Sequence, residues 1–172
     1  MVSAIPEGNG PITPHLTVAD AEAALAFYCH AFGAEEVMRM PGPGGQGLMH
    51  AEIQIGGARL MLGSEMPHME HWLSPTRLGG TTVALHIYCE DVDAVFAKAV
   101  AAGASVVYEP MDTFWGDRYG RVRDPFGHEW GVATHIADLT PEQIQQGQAE
   151  WLRQMGEADG TGGAEAEAGS GS

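Results

Sequence analysis

The chain has 172 residues, 44% of them hydrophobic, with 23 acidic against 8 basic side chains and a formal net charge of −15. That length suits one well-buried domain or two small modules sharing a core. The charge repels phosphate backbones and anionic lipid, no apolar run is long enough to span a bilayer, and nucleic acid and membranes are therefore not expected as partners.

The start, MVSAIPEGNGP, has neither the basic region nor the apolar core of a secretory signal. Cys29 and Cys89 each sit in an apolar-periodic segment, so two reduced, buried thiols and a cytoplasmic setting are expected.

In chain order, the first structured block is His15-Leu-Thr-Val-Ala-Asp20, an alternating β-type run that ends in an Asp able to cap a helix. Ala24, Leu25, Tyr28 and Phe32 then recur at helical spacing until Gly33 stops the helix. A strand over Glu36 to Met40 and a Gly-rich loop follow. Two further strands, Leu48 to Ile55 and Ala58 to Leu62, are joined by a turn at Gly56 and Gly57.

The pattern then returns 71 residues on, where His86-Ile-Tyr-Cys-Glu-Asp91 lies over the first block. Val92, Val95, Phe96, Ala99 and Val100 form the second helix up to Gly103, and a strand covers Ser105 to Glu109. An aromatic loop leads to strands over Arg118 to Arg123 and His128 to Thr134, joined by Asp124-Pro-Phe-Gly127. The Asp side chain, the Pro and the Gly suit that turn.

Thr140-Pro141-Glu142 opens a last helix, with Ile144, Trp151, Leu152 and Met155 on one face that is expected to dock and close the domain. The end, GEADGTGGAEAEAGSGS, has no large apolar residue and reads as a disordered acidic tail.

Each half thus reads βαβββ: a crossover through a helix, then a meander, giving a mixed sheet with a helix on one face. The expected fold is α+β, two tandem βαβββ modules forming a curved eight-stranded mixed sheet, plus a C-terminal helix. The expected boundaries are residues 11–63 for the first module, 64–80 for a linker, 81–134 for the second module, 140–155 for the helix and 156–172 for the tail. The helix-free faces form a cup, and concave surfaces are where small ligands bind.

This order, twice over, with an Asp-Pro-x-Gly turn before the final strand, resembles the vicinal oxygen chelate (glyoxalase/bleomycin resistance/dioxygenase) superfamily. Phe114-Trp-Gly-Asp-Arg-Tyr-Gly120, Asp124-Pro-Phe-Gly-His128, Ala133-Thr-His135 leading to Asp138-Leu-Thr-Pro141, and Ala31-Phe-Gly-Ala34 resemble its PhnB-like branch. The likeness runs from about Pro11 to Trp151. It implies small-molecule binding and, in the metal-using members, four ligands from the first and last strands of the two modules. At those positions this chain has Thr13 and Ala84, then Met61 and Gly131. None suits a hard or borderline divalent ion. No cofactor is expected, although a divalent metal is possible.

His15 and His86 lie two residues past the first-strand ligand positions and so return to the same face. With Thr13, Tyr88, His50, Glu52, Trp115 and Glu129 they are the candidate lining of the cup. Arg59, Gln54 and Thr17 share that face by the same alternation. The histidine pair reads either as a displaced metal site or acid/base pair, or as hydrogen-bonded pocket residues that inherited their symmetry from duplication.

Trp115 reads as a ring stacking on ligand at the lip or, with Phe114, as a core plug, with Asp117 and Arg118 as a local ion pair or turn anchor. His68, His71 and Trp72 read as surface linker, and His135 as a packing or capping residue. No phosphate loop, nucleophile elbow or paired-Cys motif occurs. The function expected is a homodimeric protein that binds a small molecule in the cup without the four-ligand metal site. The alternative is a divalent-metal lyase or dioxygenase using the displaced His15 and His86.

Overall fold

The computed structural model describes residues 2–66, 69 and 71–160. The first module runs β1 (His15–Val18), α1 (Ala21–Phe32), β2 (Glu35–Pro41), β3 (Leu48–Ile55) and β4 (Ala58–Ser64). A short helix, α2 (Pro75–Leu78), lies in the linker. The second module is β5 (Ala84–Tyr88), α3 (Val92–Ala101), β6 (Ser105–Asp112), β7 (Asp117–Arg123) and β8 (Glu129–His135), and α4 (Pro141–Gly160) follows.

The eight strands form two four-stranded mixed sheets, one per module, in the orders β1-β4-β3-β2 and β5-β8-β7-β6. In each the first strand pairs parallel with the last, as a crossover helix requires, and the other pairs are antiparallel. Asp20 caps α1 by accepting from the Glu22 and Ala23 amides, and Asp91 caps α3 through the Ala94 amide. Gly33 ends α1 in the left-handed region at φ 65, which an L side chain rarely adopts.

Leu16 and Val18 of β1, the buried members of β3 and β4, and Val122, Trp130 and Val132 of β7 and β8 are all buried. These merge into one core. An aromatic group joins the modules: Phe32 and Tyr28 of α1 meet Trp130 of β8 at centroid distances of 4.7 and 5.2 Å. The Tyr28 hydroxyl donates to Asp124 at 2.8 Å. The helix-side faces of both sheets are therefore spent on a shared core.

Two local expectations need correction. Arg118 pairs not with Asp117 but with Asp93 and Asp112, at 2.8 and 3.0 Å, because β7 directs adjacent side chains to opposite faces. The last helix does not close the domain along its length. Phe114 packs against Trp151 at 5.9 Å, but Trp151, Leu152 and Met155 are 40%, 55% and 52% exposed. Helical spacing revealed a stripe but not what would cover it. The helix also runs on to Gly160, five residues past the expected end, and the rest of the expected tail, residues 161–172, lies outside the described residues. Both cysteines are free and half-buried.

Candidate functional site

Register shows which side chains share the helix-free face, because directly opposed residues on neighbouring strands project to the same side. In the first sheet Met61 stands beside His15 and opposite Glu52, Gln54 opposes Arg59, and Met38 and Met40 oppose Glu52 and His50. In the second sheet Gly131 stands beside His86 and opposite Arg121, Glu129 opposes Arg123, and Tyr108 and Met111 oppose Arg121 and Tyr119. The alternation expected from sequence thus holds in both modules.

On the first sheet His15 meets His50 edge-on at 5.6 Å and Trp72 of the linker at 5.4 Å. Glu52 accepts from Arg59 at 2.9 Å and lies 3.6 Å from Nε2 of His50. Burial, then the neighbouring His50, lowers the pKa of His15. Of the linker residues, Trp72 therefore joins the site, His71 is exposed, and His68 lies outside the described residues.

On the second sheet His86 stacks on Tyr119 at 5.6 Å and tilts against Tyr88 at 4.7 Å, while Trp115 meets Tyr119 at 5.9 Å. Gly131 makes the stack possible: a Cβ there would stand 2.7 Å from the Tyr119 ring and 3.1 Å from Nδ1 of His86. Behind the rings sits the buried carboxylate of Asp117, which accepts from the Tyr88 hydroxyl (3.0 Å), the Trp115 indole (3.0 Å) and Nδ1 of His135 (2.8 Å). Burial opposes its ionisation, but the bonds from His135, Tyr88 and Trp115 outweigh that and hold its pKa below the usual value. His135 is in turn held by Asp138 at 3.1 Å, and both carboxylates raise its pKa. Trp115 is 39% exposed and so is not a core plug; Phe114 supplies the packing against α4. Glu129 pairs with Arg121 at 2.8 Å and Arg123 at 2.7 Å.

Between the modules, lined by β1, the linker and the start of the second module, lies a cleft of about 460 Å³. His15, Thr17, Leu73, Leu78, Thr82 and His128 contribute to its walls. Nε2 of His128 lies 3.1 Å from the Thr17 carbonyl oxygen and ties the modules together there. His15 thus serves both the cleft and the first cluster; His86 does not line the cleft and belongs to the second cluster. Thr13 is half-buried on the segment before β1.

Sequence reasoning missed Asp117 as an organiser, Tyr119, Arg121, Trp72 and His128. Tyr119 and Arg121 were within reach, since alternation along β7 puts them in phase with Arg123. The others depend on loop paths that leave no periodic trace.

One family model, one sequence relative and two solved structures match this chain. The family model described as the Glyoxalase/Bleomycin resistance protein/Dioxygenase superfamily matches residues 10–132. The chain belongs to that superfamily. A Mycobacterium bovis protein described as uncharacterized is 46% identical over 136 residues, covering 78% of this chain and 89% of the relative. The crystal structure of TioX from Micromonospora sp. ML1 superposes with a TM-score of 0.59 at 28% identity, over 74% of this chain and 100% of TioX. A PhnB protein from Bacillus cereus shares the fold, with a TM-score of 0.57 at 23% identity over 73% of this chain and 99% of that one.

The metal-using glyoxalase pattern does not fit the residues present. Register puts Met61 and Gly131 beside the first strands, where ligands are needed, and neither side chain offers an oxygen or imidazole donor. Among the described residues, no three His, Cys, Asp or Glu side chains are grouped to hold a metal. No helix among them is long and apolar enough to cross a membrane.

Proposed function

We propose that this superfamily member is a cytoplasmic, homodimeric protein that binds a small, partly aromatic or amphipathic molecule between its modules, without a four-ligand divalent centre. The cleft carries this reading. About 460 Å³ lies within the usual range for small-molecule sites, and its walls combine apolar side chains with a few polar groups at His15, Thr17, Thr82 and His128. The rings of His86, Tyr88, Trp115 and Tyr119 add a second recognition surface of the kind flat groups stack on.

Support for the dimer comes from the open faces. Tyr88 on β5 and Tyr108 and Met111 on β6, at the two edges of the second sheet, are 64%, 57% and 54% exposed, apolar surface that a partner copy would cover. Charge supports the pairing as well. Glu52 with Arg59 in the first module and Arg121 with Glu129 in the second stand at equivalent register positions with signs exchanged, so one face complements the other.

A thermal-shift screen with planar aromatic and amphipathic compounds tests the binding. A ligand at 100 times its Kd stabilises by about 2.7 kcal/mol, so genuine hits are readily seen. Hits whose shift is lost in His15→Ala support the cleft, and loss in His86→Ala shows that the second cluster also takes part. An absence of hits, or hits indifferent to both substitutions, overturns the reading.

A further inference from the structure

The helix-free face of the first sheet gathers an unusual set of donors. His15, Met61, Glu52 and Met38 follow one another across β1, β4, β3 and β2, with Met40 and His50 in the next row. Neighbouring side chains on one face of a sheet have Cβ atoms about 5 Å apart, within reach of a shared ion for long, flexible methionines.

The two imidazoles are 5.6 Å apart between centroids. With metal–nitrogen bonds of about 2 Å, two rings at that separation can each present a nitrogen to one ion at a bent angle. Neither ring nitrogen of His15 has a hydrogen-bond partner among the described residues, and Nε2 leans over Gly63, where even a Cβ would be 3.6 Å away. Glu52 lies 3.6 Å from Nε2 of His50, beyond hydrogen-bond distance, and no side-chain hydrogen bond of His50 is found among the described residues.

The class of ion follows from the donors. Thioether sulfur prefers soft cations, and imidazole accepts soft and borderline ones alike. Glu52, the carboxylate opposite Met61, is already neutralised by Arg59 at 2.9 Å and is not spare to balance a dication there. Met61 sets a soft thioether donor directly beside His15. Trp72 meets His15 edge-on at 5.4 Å.

We propose that His15, His50 and Met61, with Met40 as a further donor, form a binding site for a soft monovalent d10 cation, copper(I) or silver(I). This goes beyond the small-molecule reading and does not depend on it, since Met61 does not line the cleft.

Silver(I) is the practical probe because it is stable in air and redox-inert. The full chain is titrated with silver nitrate in chloride-free buffer, followed by tryptophan fluorescence and native mass spectrometry, and then with copper(I) under argon against bicinchoninate. Both titrations are run in a Cys29→Ala/Cys89→Ala background, because the two free thiols would otherwise take the ion first, and one equivalent per chain is expected there. Met61→Leu conserves volume and fold, and it and His15→Gln should each weaken binding by about tenfold or more. Met111→Leu on the second sheet should leave binding unchanged. Circular dichroism and melting curves confirm that each variant is folded. Failure of silver and copper(I) to bind at micromolar protein, binding indifferent to Met61→Leu, or tighter binding of zinc(II) at the same residues would each overturn the proposal. Loss of cleft ligands in Thr82→Trp with silver binding intact separates this site from the small-molecule site.

Discussion

Tyr28, on the first module's helix, donates its hydroxyl at 2.8 Å to Asp124, in the last turn of the second module, across 96 residues of sequence. The same carboxyl oxygen accepts from the Trp130 indole at 2.8 Å, while the other oxygen takes the Phe126 and His128 amides at 2.9 Å each. One buried carboxylate thus shapes the hairpin turn and locks the modules together. Four neutral donors converge on it, and burial, then Asp124 itself, raises the Tyr28 pKa.

Removing the donor alone should cost about the worth of a hydrogen bond to a charged group. Tyr28→Phe is expected to destabilise by about 1.5–3 kcal/mol in urea unfolding. Asp124→Ala strands several buried donors and should cost more. If Asp124→Ala proves no worse than Tyr28→Phe, the carboxylate is not the organiser.

His135 makes the second cluster sensitive to pH. Its pKa is raised by Asp117, then Asp138, so the stability it contributes is fully present below the unfolded value of about 6.5 and is lost as pH rises through the higher folded value. Asp117, with its lowered pKa, works the other way: its contribution is present above its unfolded pKa and is lost on acidification through the folded one. Trp115 emission, followed between pH 6 and 9, should show a transition that is absent in His135→Gln. An unchanged transition in that variant would assign it elsewhere.

Gly131 should prove a binding residue without touching ligand. An added Cβ would meet the Tyr119 ring at 2.7 Å and push it off His86. Gly131→Ala is expected to shift the Tyr119 and His86 ring resonances and change ligand response, with a stability change of about 1 kcal/mol because both rings are at the surface. Unshifted ring resonances would show the stack to be loose.

The docking of α4 rests on one close approach. A Cβ at Gly147 would lie 2.8 Å from the Cβ of Phe114, too near the backbone for a side chain to give way. Gly147→Val should release the helix and raise amide exchange along it. Leu152→Ser, at a half-exposed site, should change stability by less than about 0.5 kcal/mol. The reverse order would place the anchor at the apolar stripe.

How much was legible follows from what has a period. The repeat, both helices and the choice of face were readable because Leu16 and Val18, Leu85 and Ile87, or His15 and His86 alternate in a pattern that burial imposes. The paired capping aspartates gave the offset between modules. What stayed hidden depended on distance through space: Trp72 reaching back over His15, Asp117 collecting Tyr88, Trp115 and His135, and Tyr28 meeting Asp124. Each joins residues on separate elements, and no local spacing encodes such a meeting. The last helix shows the opposite failure, where a clear apolar stripe suggested a docking surface, yet among the described residues Leu152 and Met155 stay exposed and Trp151 meets only Phe114 in a ring contact.

Light scattering checks the assembly. A particle of twice the 18.2 kDa chain mass is expected. Reversing one sign of the exchanged pairs, Arg121→Glu, should weaken the dimer, with relief by added Glu52→Arg. A monomer at all micromolar concentrations removes the dimer from the account.

The central claim, a ligand-binding member of this superfamily without its divalent centre, is tested most directly by elemental analysis of protein purified without chelator or metal-bearing tag. The account predicts zinc, nickel, manganese and iron each far below one equivalent per chain, and unchanged in His15→Ala and His86→Ala. One equivalent of any of them, lost in either variant, would contradict the account and establish the metalloenzyme alternative.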